Sequence, residues 1–358
     1  MSRADRLATL CAGRDLDALL VTEPFNLLYL TGFSGTNGLA VLEAGEDGVR
    51  RFVTDFRYVE RAAQEVEHFD RLEGERDLLG SLGSALPEHR PLRLGFDDAH
   101  LSVRAHRRLG EQLDEVELVA AGGLVEELRA VKEPGELERI AAAAALADES
   151  LSAVLTQGLA GRRETEVALA LEDEIRHRGA QAPSFPSIVA AGPHGALPHA
   201  EPRDAVIPDG VLVIVDWGAR LDGYCSDCTR TLATGSLDAE AGETYELVLR
   251  AQRAGLDAVR PGVSGRDADM AARELIEAAG QGERFGHGLG HGVGLEVHEA
   301  PRLSKAADDP LEASNVVTVE PGVYLPGRFG VRIEDLVVVG DDGAQVLSSH
   351  PKELLTIG

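Results

Sequence analysis

Four carboxylates and one imidazole in the last 150 residues have the side-chain types and the surroundings of a metal site. In chain order they are Asp216 in IVDWGA, Asp227 in YCSDCTRT, His291 in GHGLGHGVGLEVHE, Glu320 in VTVEPGVY and Glu334 in GVRIED. Such an oxygen-rich ligand set suits Mn²⁺, Co²⁺ or a comparable divalent ion. Four carboxylates exceed the needs of one zinc site, but they suit two ions about 3.5–4 Å apart, bridged by carboxylates and a hydroxide. The chain is therefore predicted to be a two-metal hydrolase.

Asp216 and Asp227 lie on two predicted strands joined by a tight turn at residues 221–223, where Asp-Gly is a strong hairpin signal. A two-residue loop at 221–222 would place the two aspartates directly opposite each other. A loop at 222–223 would place Asp216 opposite Thr229 and make Asp227 its diagonal neighbour. Both registers bring the carboxylates to one face, with Cβ atoms within about 4.5–8 Å, whereas a three-residue loop would separate them.

Glu320 and Glu334 flank the Pro/Gly-rich connection PGVYLPGRFG, between Val-rich segments that are predicted to pair as strands. A single aspartate near a turn is usually a cap, and a single glutamate in a strand usually faces solvent. Asp216 and Glu320, however, have apolar residues on both sides, and burying a carboxylate is costly unless it is paired or metal-bound. Five such residues with consistent strand pairing favour the metal centre.

These segments resemble the proline-specific metallopeptidases of the pita-bread fold, namely Xaa-Pro dipeptidase (prolidase) and aminopeptidase P. Methionine aminopeptidase and creatinase are more distant relatives. The resemblance covers nearly the whole chain, because DALLVTEPFNLLYLTGFSG suggests a creatinase-like N-terminal domain. It implies an α+β protein in which residues 1–130 form a smaller, mixed α/β creatinase-like domain. Residues 131–358 would form the pita-bread catalytic domain.

All five ligand positions of that family are filled in this chain, and the resemblance implies how they divide between two metals. Asp216 and Asp227 would hold one ion. Asp227, His291, Glu320 and Glu334 would hold the other, with Asp227 and Glu334 bridging. The expected cofactor is two Mn²⁺ ions per subunit, with Co²⁺ or Zn²⁺ as alternatives. Glu320 would also act as the general base that takes a proton from water and passes it toward the proline nitrogen.

Three further histidines match family residues around the substrate. His298 matches the residue that contacts the scissile carbonyl or amide, His199 lines the proline-binding side, and His287 lies near the product end of the pocket. A hydrogen-bonded structural histidine is the alternative for each. His287 and His291 are spaced like a helical metal pair, but the glycines at alternate positions from 286 to 294 argue against a helix.

Two arginines are candidates for recognising the substrate. Arg332 matches a family arginine close to the site, either as a carboxylate anchor or as support for a ligand. Arg302, four residues after His298, could bind the carboxylate of a substrate proline or could be a solvated loop residue. In HEAPR, Ala300 stands where relatives often have an aromatic residue, so the resemblance does not define the shape of the pocket.

The predicted activity is hydrolysis of Xaa-Pro dipeptides, with aminopeptidase P activity on longer Xaa-Pro peptides as the first alternative. A non-catalytic pita-bread binding module is a remote alternative, because such relatives typically lose ligands that are all present here. Metal-free creatinase-like chemistry is disfavoured for the same reason.

The family is often dimeric, so a homodimer is expected. The glycine-rich segment 33–38 could then act as a lid over the neighbouring active site, or it could be a plain surface turn.

Composition excludes several partners. The 358 residues contain 35 Lys and Arg against 61 Asp and Glu, which gives a net charge of −26 and disfavours binding to nucleic acid or to anionic membranes. The sequence has no continuous apolar membrane span, and its first residues lack the apolar core of a signal peptide, so a cytoplasmic location is predicted.

Only three cysteines occur, and Cys225 and Cys228 in CSDC are interpreted as small buried hydrophobes rather than a redox or zinc pair.

Periodicity and turn residues predict two regions of alternating helices and strands. In the first region, strands are predicted at 17–22, 38–43, 51–55, 92–96 and 116–120, with helices at 2–13, 57–66 and 103–113. In the second, helices are predicted from Pro134 onward and at 164–177, 239–259 and 265–279, with strands at 187–191, 211–219, 224–233, 293–298, 316–320 and 331–339. The first long helix has a predicted buried stripe at Leu137, Ile140, Ala144, Leu151 and Leu155.

Overall fold

The computed structural model describes residues 1–45, 48–89 and 91–358. Its internal contacts divide the chain into two compact units, Met1–Arg129 and Ala130–Gly358. Both units combine helices with β-sheets, so the predicted α+β class is confirmed. Among the described residues, no helix combines the length and the apolar character needed to cross a membrane.

The first unit is built on one six-stranded sheet. Its elements are α1 (Arg3–Gly13), β1 (Ala18–Val21), α2 (Pro24–Thr31), β2 (Gly38–Glu43), β3 (Arg50–Asp55), α3 (Val59–Glu65), β4 (Asp70–Gly74), a 3₁₀ helix (Leu78–Ala85), β5 (Leu92–Phe96), α4 (Val103–Gln112), β6 (Val116–Ala120) and α5 (Leu124–Ala130). The strand order is β4-β3-β2-β1-β5-β6. β1 pairs antiparallel with β2 and parallel with β5, which makes the sheet mixed.

The predicted strands and helices of this unit are present, and local signals explain their ends. Ser2 caps α1 through a capping box with Asp5, and Gly32 ends α2 in the left-handed conformation. α2 was not predicted, although Pro24 at its first turn is a typical start signal. β4 was also missed, because this edge strand is charged and partly exposed and lacks the alternation of a half-buried strand.

The second unit contains four long helices and several small sheets. Its elements are α6 (Pro134–Leu155), α7 (Glu164–His177), β7 (Ala182–Pro183), β8 (Ile188–Ala191), a 3₁₀ helix (Gly192–Ala196), β9 (Leu212–Trp217), β10 (Ala219–Leu221), β11 (Tyr224–Cys225), β12 (Cys228–Ala233), α8 (Ala239–Ala258), α9 (Gly265–Ala278), a 3₁₀ helix (Gly282–Arg284), β13 (Gly290–Gly292), β14 (Glu299–Leu303), β15 (Val316–Val319), β16 (Gly322–Leu325), β17 (Phe329–Arg332), β18 (Asp335–Gly340) and β19 (Gly343–Val346).

Two apolar cores hold these elements together. In one, α6 and α7 pack on the sheet β12-β9-β8, with Leu151, Leu171 and Val213 fully buried. In the other, α8 and α9 pack on the sheet β14-β13-β15-β18-β19, with Val248 and Val317 fully buried. Each fully buried Val or Leu contributes about 1.5–3 kcal/mol relative to an exposed one. The two cores thus provide rigid sheets from which the candidate ligands project.

One predicted strand of this unit is wrong and three are interrupted, since 211–219 is divided between β9 and β10 and 224–233 between β11 and β12. Residues 293–298 form a series of bends between β13 and β14 instead of a strand. The apolar alternation there is misleading, because the segment folds around the side chain of Glu299, whose Oε2 accepts the Glu296 N–H at 3.4 Å. The predicted strand 331–339 is divided into β17 and β18 at Ile333 and Glu334.

Candidate metal centre

The hairpin that carries the two aspartates adopts the second of the two predicted registers. Leu221 pairs with Tyr224, so the loop consists of Asp222 and Gly223, both with positive φ. Asp216 accordingly lies opposite Thr229. Asp227 lies in the short gap between β11 and β12, two residues from Thr229 and therefore diagonal to Asp216. Both carboxylates line one cavity.

Glu320 and Glu334 lie where two antiparallel ladders of the same register are interrupted. The β15–β18 ladder ends at Val319 opposite Asp335, and the β16–β17 ladder begins at Gly322 opposite Arg332. Continuing this register places the two glutamates opposite each other. Their backbone N–H groups are used elsewhere: Glu320 donates to Leu289 O at 2.8 Å and Glu334 donates to Thr229 O at 3.1 Å. The second bond connects this hairpin to the strand that faces Asp216.

His291 presents one ring nitrogen to this group of carboxylates. Its Nδ1 lies 3.1 Å from Gly292 O, which can only accept, so Nδ1 carries the proton. Nε2 is left with a free lone pair, 3.2 Å from Glu320 Oε1 and 3.7 Å from Asp227 Oδ2. Gly290 permits this close packing, because a Cβ atom there would lie 1.9 Å from Thr318 O.

The donor set fits a divalent cation. Candidate ligand atoms of Asp227, His291 and Glu334 all lie within 4.8 Å of one another. Asp216 Oδ1 and Glu334 Oε1 are buried and lack a hydrogen-bond partner among the described residues. Buried oxygens of this kind are costly to leave unpaired, and a metal ion would satisfy them.

The pKa values of the carboxylates also favour a metal site. Burial, followed by repulsion from Glu334 and Asp216, raises the pKa of Asp227 well above its usual range. Burial and the charge of Glu320 do the same to the pKa of Glu334. For Glu320 burial also acts to raise the pKa, but when the His291 ring is protonated its hydrogen bond and charge outweigh burial and lower the pKa to about 2. A cluster of this kind is stable in its charged form only with added positive charge, which a divalent ion supplies.

Neighbouring side chains fix the orientation of three carboxylates. Thr229 Oγ1 donates to Glu334 Oε2 at 2.7 Å, and Thr318 Oγ1 donates to Glu320 Oε1 at 3.0 Å. Arg332 Nη2 donates to Asp216 Oδ2 at 2.6 Å. Supporting contacts of this type orient metal ligands and are often as important as the ligands themselves.

Arg332 is almost fully used by the protein. Besides Asp216, its guanidinium donates to Thr229 Oγ1 at 3.0 Å, to Pro198 O at 3.0 Å and to Tyr324 Oη at 2.9 Å. Of its two predicted roles, this geometry favours support for a ligand over anchoring a substrate carboxylate. Arg302 differs in that its side chain is exposed, lines the cavity and has no ion pair among the described residues.

His287 is also satisfied by protein atoms. Its Nδ1 donates to Gly288 O at 2.8 Å, so Nε2 is the acceptor for the Tyr324 hydroxyl 3.0 Å away. Burial lowers the pKa of His287, which keeps the ring neutral in this chain of hydrogen bonds. His287 therefore lines the cavity with both nitrogens already occupied.

His298 and His199 have the freer positions expected of residues that meet a substrate. The His298 ring lies 4.3 Å from the His291 ring, tilted by 63°. Burial, helped by the charges of His291 and Arg302, lowers the pKa of His298 to about 4, so its imidazole is neutral near pH 7. His199 is exposed, lines the same cavity and precedes the buried Ala200.

The cavity has a volume of about 610 Å³, enough for a small peptide. All ten predicted site residues line it. They are His199, Asp216, Asp227, His287, His291, His298, Arg302, Glu320, Arg332 and Glu334. The remaining lining residues include an apolar wall, formed mainly by Phe185, Pro186, Ile188, Pro198, Ala200 and Pro202.

Comparison with known proteins identifies the family. Residues 138–341 match metallopeptidase family M24, and residues 3–131 match the creatinase/prolidase N-terminal domain. The chain belongs to metallopeptidase family M24. The Xaa-Pro dipeptidase of Pyrococcus furiosus is 34% identical to this M24 peptidase over 357 residues, which are 99% of each protein.

Solved structures agree with this family. The Xaa-Pro dipeptidase from Bacillus anthracis is 37% identical, with a TM-score of 0.94 and 99% of both chains covered. The X-Pro aminopeptidase from Thermotoga maritima is 34% identical, with a TM-score of 0.90 and 100% of both chains covered. The predicted family, the pita-bread fold and the classification as a metallopeptidase are thereby confirmed. The family also implies the use of divalent metal by this chain.

Several functional contacts of the M24 peptidase were not predicted. Thr229 had appeared only as the residue opposite Asp216 in one hairpin register. Thr318 could have been found, because it lies two residues before Glu320 and hence on the same strand face. Tyr324 and the apolar wall around Phe185 had no signal in residue type or spacing, because distant segments bring them to the site.

The CSDC segment contains neither a disulfide nor a reactive thiol. Cys225 and Cys228 are both buried and free. Their Sγ atoms lie 3.6 Å from Leu295 O and 3.4 Å from Glu334 O, respectively. Burial raises the pKa of both thiols, which opposes formation of the reactive thiolate. This agrees with their interpretation as small buried side chains.

Proposed function

We propose that this M24 metallopeptidase hydrolyses Xaa-Pro dipeptides with two divalent metal ions, Mn²⁺ being the expected metal and Co²⁺ or Zn²⁺ alternatives. One observation carries the proposal: three buried carboxylates, the half-buried carboxylate of Glu320 and the Nε2 of His291 converge in a peptide-sized cavity, where two carboxylate oxygens lack a hydrogen-bond partner among the described residues. The names of similar proteins, Xaa-Pro dipeptidase in Pyrococcus furiosus and Bacillus anthracis, support the substrate class.

In this proposal the five ligands divide as the family resemblance implies. Asp216 and Asp227 would hold one ion, and Asp227, His291, Glu320 and Glu334 would hold the other. The mutual proximity of Asp227, His291 and Glu334 supports this division. When bound, the ions supply Lewis-acid polarisation of the scissile carbonyl and an activated water at neutral pH.

The chain's own residues supply the proton transfers and the substrate orientation. Glu320, the most acidic of the carboxylates, accepts the proton of the attacking water and passes it toward the proline nitrogen. The neutral His298 donates a hydrogen bond to the carbonyl oxygen as negative charge develops there. Asp216 is oriented by Arg332 toward the end of the cavity where the substrate's free amino group would bind. His199 and the apolar wall receive the proline ring.

Aminopeptidase P activity on longer Xaa-Pro peptides is the second candidate, because the Thermotoga maritima X-Pro aminopeptidase resembles this chain over its full length. Arg302 favours the dipeptidase. Its guanidinium is exposed at the cavity and lacks an ion pair among the described residues, so it can bind the proline carboxylate that a dipeptide presents.

The deciding experiment compares hydrolysis of an Xaa-Pro dipeptide with that of the matching Xaa-Pro-Yaa tripeptide. Metal-stripped enzyme is assayed with Mn²⁺, Co²⁺ and Zn²⁺ added separately, and the bound metal is counted for each subunit. Faster cleavage of the dipeptide with two ions bound supports the proposal. Faster cleavage of the tripeptide favours aminopeptidase P, and full activity in protein shown to contain no metal rejects the two-metal centre.

Three further expectations belong to the same proposal. A homodimer, a cytoplasmic location and a lid formed by residues 33–38 remain predictions. The net charge of −26 continues to disfavour nucleic acid as a partner. Size-exclusion chromatography with light scattering measures the oligomeric state directly.

A further inference from the structure

The segment 192–202, here called the histidine loop, contributes a substantial part of the cavity lining. Pro198, His199, Ala200, Glu201 and Pro202 all face the cavity. The loop follows β8 and begins with a 3₁₀ helix at Gly192–Ala196, but the rest of it belongs to no strand or helix. Contacts from outside the loop must therefore fix its position.

One end of the loop is held by backbone hydrogen bonds to the start of α7. Thr165 N–H donates to Arg203 O at 3.3 Å, and Glu164 N–H donates to Ala205 O at 3.1 Å. Arg163 and Val206 form an isolated β-bridge beside them. These bonds secure the chain after the loop, but they do not reach the residues before it.

The side chain of Glu164 joins the two ends. Its Oε1 accepts the backbone N–H of Ala191, the last residue before the loop, at 3.0 Å. Its Oε2 accepts the backbone N–H of Arg203, the first residue after the loop, at 3.0 Å. The Arg203 guanidinium adds two contacts at 3.2 Å, and His194 Nδ1 donates to Oε2 from within the loop at 2.9 Å.

This arrangement is unusual for a glutamate in the first turn of a helix. Such residues ordinarily face solvent and interact with the helix dipole, as the exposed Glu166 does two residues later. Glu164 is instead 1% exposed. Burying a carboxylate this completely is costly unless all its lone pairs are used, and here both oxygens are fully used at the base of the loop.

The opposite side of the loop contacts the metal centre. Pro198 O accepts a hydrogen bond from Arg332 Nη1 at 3.0 Å, and the same guanidinium orients Asp216. Gly330 also lies directly against the loop, since a Cβ atom on it would be 1.9 Å from Gly195 O. A displaced loop would therefore move His199 and lose one of the contacts of Arg332.

We propose that Glu164 is a positioning residue that holds the histidine loop in the conformation required to bind the proline side of the substrate. It contacts neither the substrate nor the metal and acts through His199 and Pro198. The inference rests on the proposed Xaa-Pro peptidase function.

The proposal predicts a particular kinetic pattern. Without the Glu164 clamp, the loop occupies its binding-competent conformation for only a fraction of the time. Apparent affinity then falls by that fraction, whereas saturating substrate selects the competent form and restores turnover. The Michaelis constant should therefore rise while kcat stays nearly constant.

The principal variant is Glu164→Gln, with Glu166→Gln as its matched control. Both remove one negative charge from the first turn of α7, so both change the helix-dipole interaction alike. In Glu164→Gln, the amide NH₂ must face either the Ala191 N–H or the Arg203 N–H. Because two donors cannot form a hydrogen bond with each other, one end of the loop loses its bond to residue 164. We expect the KM for Ala-Pro to rise about 10- to 100-fold with kcat changed less than about threefold, since small misplacements of binding residues have effects of this size. Glu166→Gln should match the wild type.

Hydrogen–deuterium exchange of metal-loaded protein measures the loop without reference to activity. Amides of residues 191–203 should exchange faster in Glu164→Gln than in the wild type or in Glu166→Gln. Unchanged exchange and unchanged KM would overturn the proposal. Loss of bound metal in Glu164→Gln would also overturn it, because the residue would then support the metal centre instead of the loop.

A milder pair of variants serves if Glu164→Gln does not fold. His194→Asn retains a donor for Glu164 near the position of Nδ1, whereas His194→Leu removes it. The leucine variant should show the raised KM and the faster exchange, and the asparagine variant should recover both. Equal behaviour of the two would overturn the proposal. If the wild type cleaves no Xaa-Pro peptide, the proposed function fails, while the exchange comparison still tests the loop clamp.

Discussion

Asp227 lies among three other carboxylates of the candidate site, those of Asp216, Glu320 and Glu334. Burial, Glu334, Asp216 and Glu320 all raise the pKa of its carboxyl, and the charge of Arg332 opposes them. A carboxyl in this position can ionise readily only when a cation is bound, so metal binding and proton release are coupled. At the scale of single residues, the candidate centre is thus a set of acids whose charge a bound metal ion would stabilise.

Replacing Asp227 with Asn should be far more damaging than replacing Cys228 with Ser. Asp227→Asn removes the charge and one oxygen ligand, and metal affinity should fall at least about 100-fold, more than for loss of a supporting contact. Cys228→Ser should change the affinity less than about threefold, because the serine hydroxyl can donate to the same Glu334 carbonyl. Titration calorimetry with Mn²⁺ measures both. Equal affinities would remove Asp227 from the ligand set.

Replacing Arg302 with Ala should weaken only substrates that carry a free proline carboxylate. Losing a charge-assisted hydrogen bond to the substrate costs about 1.5–3 kcal/mol, or roughly 10- to 150-fold in kcat/KM. That loss is expected for Xaa-Pro and not for Xaa-Pro-amide. Lys305→Ala, three residues further on, controls for the loss of a nearby positive charge that does not line the cavity. Equal losses on acid and amide substrates would refute the carboxylate role.

At the scale of secondary-structure elements, irregular segments carry the residues that would meet the substrate, and buried ion pairs hold those segments. Residues 293–298 bend around Glu299, whose carboxylate pairs with Lys132 at 2.6 Å, with side chains 5% and 1% exposed. Asp269 and Arg273 on α9 likewise pair with each other, and they bond to Leu289 N and His287 O. These buried ion pairs thereby stabilise loops whose backbone is not part of any sheet.

Replacing Lys132 with Met should destabilise the catalytic unit. Removing one partner of a buried ion pair leaves an uncompensated charge, and the free energy of unfolding should fall by about 3–5 kcal/mol. The double variant Lys132→Met/Glu299→Gln leaves no buried charge and should regain part of this loss. Urea unfolding measures the three proteins.

The control for that experiment is Arg328→Met, which breaks an exposed ion pair with Glu240. Surface pairs contribute about 0–1 kcal/mol, so this variant should remain close to the wild type. Equal destabilisation in Lys132→Met and Arg328→Met would contradict the importance of the buried pair.

At the scale of the whole molecule, the candidate ligands come from segments that span residues 216–334 and belong to different sheets. Asp216 lies on β9, in the sheet that packs on α6 and α7. His291 lies on β13, in the sheet that packs on α8 and α9. A metal ion bound by both groups connects the two halves of the catalytic unit, and its binding energy becomes folding energy.

Divalent metal should therefore raise the thermal stability of the protein. A ligand at 100 times its dissociation constant adds about 2.7 kcal/mol to the native state. For a unit of this size, that corresponds to a rise of about 5 °C or more in Tm. Calorimetry with and without Mn²⁺ checks the rise, and a chelator should reverse it. Asp227→Asn should show no rise, and a full rise in that variant would argue against the site.

The residues of the candidate site and most of the elements that carry them could be predicted from residue type and spacing. Candidate ligand residues can be recognised in the sequence because a carboxylate within an apolar strand is costly to bury unless a cationic side chain or a metal ion lies beside it. The strands can be predicted because side-chain alternation and turn residues are properties of the local sequence. The Asp-Gly turn favoured two registers that both bring Asp216 and Asp227 together, although a three-residue loop would have separated them.

The folded structure distinguishes these registers, because backbone pairing of Leu221 with Tyr224 selects a loop of Asp222 and Gly223. It also revealed that residues 293–298 bend around Glu299 and that Arg332 is occupied by Asp216 and Tyr324. The clamp formed by Glu164 likewise joins residues far apart in the chain. These features depend on contacts between segments that are distant in sequence. Residue type and spacing do not indicate which buried charged side chain will form hydrogen bonds with which loop.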